Sequence, residues 1–204
     1  MAEVFVPGPV HLRLEPILRF HRYRTLEQAA PAIREVAQEM TKVAEKLADP
    51  RVVFARRRVA AVGTDSLTLQ GGPAFHGRCF GTHLAGAREA VCLLATIGPA
   101  LDARVTEMAG GGDLLEALFL DTAGWLAIEG TLRAFRIHLA SGVRPSGFRL
   151  SPRLGPGYLD WPLTEQASFF SMFAGEPVPV TLSEYSVMTP KKSLSGLYGL
   201  LPTV

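Results

Sequence analysis

Cysteine is scarce in this sequence of 204 residues: Cys79 and Cys92 are the two present, with neither the pairing pattern of a disulfide framework nor a metal-ligand spacing. Both stand in apolar surroundings and read as buried thiols of a reducing compartment. An excess of charge of one sign is also lacking. The 21 basic and 19 acidic residues leave a net charge of +2, which gives no field to draw nucleic acid or a membrane surface. No apolar run reaches the roughly 18 residues of a membrane span, and Met1 to Val10 lacks the basic-then-apolar order of a signal peptide. A cytoplasmic protein without nucleic-acid or membrane partners is therefore expected. Internal repeats, the G-K-[ST] end of a phosphate loop and a strand-to-helix G-x-G-x-x-G are missing too. His76, His83 and His138 share no ligand spacing, so no metal site is expected.

What is present suits one domain over residues 1–204. Thr25 and Gln28 form a T-x-x-Q pattern, with Pro31 as the alternative first turn, before Ile33, Val36, Met40, Val43 and Leu47 at helical spacing. Val52 to Val62 and Ser66 to Leu69 predict a hairpin around Gly63-Thr64-Asp65, and Ala90 to Ile97 predicts a strand covered on both faces. Leu101 to Met108 and then Asp113 to about Ala140 predict two helices. On the longer one, Leu115, Leu118, Thr122 and Trp125 trace an expected buried stripe whose next member is Glu129. Residues 144–161 form a Pro- and Gly-rich working loop, followed by a helix with Leu163, Ala167, Phe170 and Phe173 inward. Val178 to Met188 and Leu194 to Leu200 are strand-like.

Two features carry chemistry. An ionised Glu129 on a core-facing stripe needs a cation or several donors: Arg133 or Arg153 as a structural partner is one reading, a ligand the other. In Arg153-Leu154-Gly155-Pro156-Gly157-Tyr158 two glycines admit close backbone approach, Arg153 offers a planar fork for a carboxylate, and Tyr158 offers a ring and a hydroxyl. The same string also reads as a rigid turn with a surface arginine. Arg56-Arg57-Arg58 reads as a solvated edge and Lys191-Lys192 as turn residues.

Arg153-x-x-Pro156-Gly157-Tyr158, Asp160-Trp161-Pro162 before a helix, and Glu184-x-x-x-Met188-x-Pro190-x-x-Ser193-x-Ser195-Gly196-x-Tyr198 together resemble the reactivation domain of cobalamin-dependent methionine synthase, as does the Asp121-to-Glu129 spacing. The resemblance spans residues 80–200, while residues 1–60, read as an N-terminal helix and first strand, look more like the stand-alone members. It implies an α+β fold, a twisted and largely antiparallel sheet with packed helices. It also implies a site for S-adenosylmethionine formed by Glu129, Arg153, Gly155, Tyr158, Ser195, Gly196 and Tyr198. Arg153 would hold the ligand carboxylate, Glu129 its positive end, and Gly155 the adenosine. Tyr158 and Tyr198 would wall the methyl-transfer face, with Ser195 and Gly196 shaping the last side. No catalytic residue is required, because the nucleophile would be the cobalamin or other corrinoid of a partner, a corrinoid-binding protein or methionine synthase itself, reduced by an external electron donor. Three departures stand out: no counterpart of the family's N-terminal ligand-binding Asp occurs in residues 1–60, Gly155 replaces an Ala, and the loop after Tyr158 reads Leu159-Asp160-Trp161-Pro162 instead of a Cys-containing form. The rival functions are a non-catalytic S-adenosylmethionine sensor or assembly module, and a small-molecule enzyme with Glu129 as base.

Overall fold

The computed structural model describes residues 1–203. Its strands are Glu3–Phe5 (β1), Arg51–Val62 (β2), Ser66–Leu69 (β3), Ala74–His76 (β4), Glu89–Thr96 (β5), Phe148–Leu150 (β6), Thr181–Leu182 (β7), Met188–Thr189 (β8) and Ser193–Pro202 (β9). β7 and β8 pair only with each other; the remaining seven form an antiparallel sheet ordered β4-β3-β2-β5-β9-β6, with β1 beside the first half of β2. The helices are Leu14–Phe20 (α1), Pro31–Leu47 (α2), Arg78–Leu84 (α3), Ala100–Gly111 (α4), Leu114–Val143 (α5) and Gln166–Ser171 (α6). None of them is long and apolar enough to cross a membrane among the described residues.

Strand alternation explains the layering. On β5, Val91, Leu93 and Ala95 point into one core with α1, α2, α4 and α5, while Ala90, Cys92 and Leu94 point into a second core with α3, α6 and Trp161. A strand apolar at every position suits burial from both sides, and β5 is buried from Ala90 to Thr96. Cys92 sits wholly inside the second core, where burial pushes its thiol up to about 12.

The predicted hairpin forms as β2 and β3. Pro31 opens α2, and Thr25 belongs to a separate 3-10 turn rather than a capping box. The Arg56 to Arg58 stretch pairs with β5 on one side and sits between the segments claimed by β1 and β3 on the other, with Arg57 donating to the Met172 carbonyl at 2.9 Å.

Three expectations need correction. The stripe on α5 is rotated: of its expected members Thr122 is buried, but Leu115, Leu118, Trp125 and Glu129 are exposed, and Leu120, Ala123, Ala127, Ile128, Phe135 and Leu139 face the core instead. Its N-terminal half is apolar on nearly every side, so the sequence contained no unique stripe. After the loop, Phe173 is buried and Phe170 packs against the second core as expected, but Leu163 and Ala167 are outside and Gln166 and Phe169 of α6 are inward. Val178 to Met188 is mostly loop, with strand only in the two-residue ladder of β7 and β8.

Candidate functional site

β9 sets the site by parity. Successive side chains leave a strand on opposite faces, so Tyr198 joins the core under α5 while Leu197 joins the other one. Leu154 bridges to Leu197, with Leu154 N donating to the Leu197 carbonyl at 3.0 Å and Leu197 N returning a 2.8 Å bond. This bridge holds the 153–158 loop against the open edge of β9. Gly157 turns the loop at φ 84°, a left-handed conformation that favours glycine.

Arg153 crosses that edge. Its Nη1 donates to the Ser195 carbonyl at 3.1 Å, and its guanidinium carbon lies 5.3 Å from the Tyr158 ring centroid. The glycines make room for this crossing. A Cβ on Gly155 would sit 2.9 Å from the Ser195 carbonyl oxygen and 3.3 Å from Arg153 Nη1, and one on Gly196 would strike the Leu154 carbonyl and lie 3.3 Å from Arg153 Cγ. The space expected to admit a ligand at Gly155 and Gly196 is thus filled by the protein's own arginine and backbone.

One cavity is lined by this arginine and another by the Tyr158 and Ser195 that it contacts. One, about 330 Å³, is lined by Glu129, Arg133, Arg136, Arg153 and Tyr198, so three guanidinium groups face one carboxylate. Tyr198 is 3% exposed, and burial raises its hydroxyl pKa despite opposing help from Arg153 and Arg136. The second, about 380 Å³, lies between Trp125 and the loop residues Pro156 and Tyr158, with Gln166, Met188 and Ser195 in its walls. Glu129, Arg153 and Tyr198 therefore converge, whereas Tyr158 and Ser195 face the neighbouring space. The two phenol rings do not wall a common chamber.

Lys192 lies in the bend before β9, as expected, but its side chain is buried. Its ammonium meets Asp121 of α5 at 2.5 Å and Asp102 of α4 at 4.0 Å, with the Trp125 ring centroid 5.5 Å away. Gly124 permits its passage, since a Cβ there would lie 3.0 Å from Lys192 Cε. Asp121, expected only as a spacing marker, is thereby the carboxylate that anchors β9 to α5.

The loop is tied down from below. Asp160, expected to open the helix after it, instead accepts hydrogen bonds from the backbone N–H groups of Arg78 and Cys79 at 2.7 and 3.0 Å, capping α3. The Cys79 bond leads the causes that hold its carboxyl down at about 2. Burial, then the adjacent Asp160, pushes the Cys79 thiol up to about 11. Trp161 Nε1 donates to Glu165 at 2.9 Å, and Glu165 also accepts from His76.

No family model and no curated protein matches the sequence. Among solved structures, the fold is that of the MetH reactivation domain bound to AdoHcy, with a TM-score of 0.67 and 16% identity over 100% of this chain and 79% of that one. The expected α+β architecture, an antiparallel sheet with packed helices, is the one observed.

Proposed function

We propose that this chain binds S-adenosylmethionine along the β9 edge and presents it to a corrinoid carried by a partner protein, as a stand-alone reactivation subunit. The supporting observation is the whole-chain likeness to a reactivation domain bound to AdoHcy, combined with an arginine that lines one ligand-sized cavity and contacts Ser195 and Tyr158 in the wall of another. S-adenosylmethionine presents a carboxylate, an ammonium, a sulfonium and an adenosine. The Arg153 fork and the neighbouring Arg133 and Arg136 supply the positive field for the carboxylate, and Glu129 supplies the single acidic group for the ammonium.

The chemistry divides between proteins. An external donor gives one electron to the inactive Co(II) centre, and the reduced cobalt takes the methyl group while the sulfonium becomes the neutral thioether of S-adenosylhomocysteine. Residues of this chain bind and orient; none acts as acid, base or nucleophile. Exposed Tyr158 and Val187 lie at the opening between the loop and the β7–β8 hairpin, a surface suited to a large, flat partner group.

Titration calorimetry with S-adenosylmethionine and S-adenosylhomocysteine tests binding, with micromolar affinity expected for the chain and a loss of at least tenfold in Arg153→Ala. Mixing the chain with a Co(II) corrinoid protein, reductant and S-adenosylmethionine is expected to produce the methylcobalt absorption spectrum. Absence of heat with both ligands at low and high salt would refute the proposal.

A further inference from the structure

The sulfur of the ligand proposed above is positively charged before methyl transfer and neutral after it, so the sign of the field in the cleft bears on which form is held. The two cavities beside the 153–158 loop are lined by four cations, Arg133, Arg136, Arg153 and Lys191, and by one carboxylate, Glu129. None of the four cations forms an ion pair among the described residues. Lys192 beside Trp125 does not change the sign. With Asp102 and Asp121 it contributes one net negative charge and leaves an excess of two positive charges. Guanidinium groups stay charged at any pH a cell reaches, and a screening length of about 8 Å in physiological salt lets them act across cavities of about 330 and 380 Å³.

The aromatic walls act in the same direction. A sulfonium is stabilised over an aromatic face that is free to receive it. Tyr158 already has the Arg153 guanidinium carbon 5.3 Å from its ring centroid, and Trp125 has Lys192 Nζ at 5.5 Å. A ring that shares its electrons with a resident cation has less to offer a second one. Glu129 is the single acidic group in the walls of either cavity, and the ligand's own ammonium competes for it. The methylated and demethylated ligands share carboxylate, ammonium and adenosine, so these contacts cancel between them. Charge and bulk at sulfur are what remain.

We infer that Arg133 and Arg136 make this cleft selective for charge at sulfur, so that it holds the neutral thioether S-adenosylhomocysteine more tightly than the cationic S-adenosylmethionine. This rests on the adenosyl ligand proposed above and adds a regulation to it: the chain is restrained by the product of the transfer. When the methyl group moves to the electron pair of reduced cobalt, the S–CH3 bonding pair stays on sulfur and the positive charge leaves it. The field that weakens substrate binding is thereby relieved on transfer and then retains the product. Repeated turnover requires a second reaction that removes the thioether from solution.

The test is calorimetry on the full chain with S-adenosylmethionine, S-adenosylhomocysteine and S-adenosylhomocysteine sulfoxide, which is neutral but carries a third substituent on sulfur. The readout is the ratio of affinities, because a change in grip on the shared carboxylate moves all three ligands together. At about 0.02 M salt the thioether is expected to bind at least fivefold more tightly than the sulfonium, and at about 0.5 M salt the ratio should shrink to about two. The sulfoxide should follow the thioether. In the double variant Arg133→Gln/Arg136→Gln, whose side chains are exposed on α5 and so are not needed for folding, the low-salt ratio should fall to about two or less. Equal affinities at low salt, a preference for the sulfonium, or a ratio unmoved by salt or by the double variant would overturn the charge selectivity and leave the adenosyl function standing. A sulfoxide that binds as weakly as the sulfonium would overturn it too, by showing that bulk and not charge decides. No binding of any of the three ligands by the natural sequence would overturn both.

Discussion

Replacing Lys192 with Met isolates the ion cluster that pins β9 beneath α5. The Lys192 side chain is 4% exposed, and its partners differ: Asp102 is 15% exposed and Asp121 41%. Removing one member of a fully buried pair costs ~3–5 kcal/mol, because the remaining charge stays desolvated. Asp121 can recover part of its solvation from water, so the expected cost is lower, about 2–3 kcal/mol. For a chain of this length each kcal/mol lowers the melting temperature by about 2–4 °C, giving a fall of roughly 5–10 °C. The decisive measurement is a double-mutant cycle with Asp121→Asn in urea denaturation. Once the cation is gone the lone carboxylate is a liability, so Asp121→Asn should cost less in the Lys192→Met background than alone, with a coupling of at least about 1 kcal/mol. Additive costs, or a Lys192→Met variant within about 0.5 kcal/mol of the natural sequence, would show that the cluster does not hold the strand.

Gly196→Ala places a Cβ against the Leu154 carbonyl; loss of the Leu154–Leu197 bridge is expected, at a cost of about 2 kcal/mol or more by denaturation. The Asp160 carboxyl is depressed to about 2 from an ordinary 3.8, so its contribution is present above pH 4 and is lost as pH falls toward 2. Asp160→Asn should flatten that part of an acid-unfolding curve. The Cys79 and Cys92 thiols are raised to about 11 and about 12. Unfolded thiols ionise near 9 while the folded ones stay neutral, so stability should decline as pH rises from 9 toward 12, and both thiols should resist disulfide reagents at pH 8 until the chain is denatured.

Periodic signals carried the parts of the fold that a single face decides. Pro31 and the Ile33-to-Leu47 spacing located α2, and the turn at Gly63 located the β2–β3 hairpin. Facing was harder where a helix has apolar residues on several sides: Leu115, Leu118 and Trp125 fit an amphipathic stripe, yet Leu120, Ala123 and Ile128 fit another and won the core. That error carried Glu129 with it, from an expected buried carboxylate to an exposed wall of a cavity. The convergence of Arg153 with Glu129 and Tyr198 was legible through the motif string, because short-range spacing on a loop and a strand survives errors of helix rotation. Lys192 and Gln166 were not legible. Each is a polar residue in an inward position, and only the long-range meeting of β9 with α4 and α5, or of α6 with the loop, reveals why it is there.

The short Leu154–Leu197 bridge has a consequence for how occupancy would be felt at a distance. The loop that carries Arg153 hangs on one margin of β9, and the same strand zips to β5 through eight paired positions. A molecule that grips Arg153 would brace that margin. Its footprint in amide-exchange protection should then extend along β9 into β5, well past the atoms in contact, so that the sheet itself registers whether the cleft is filled.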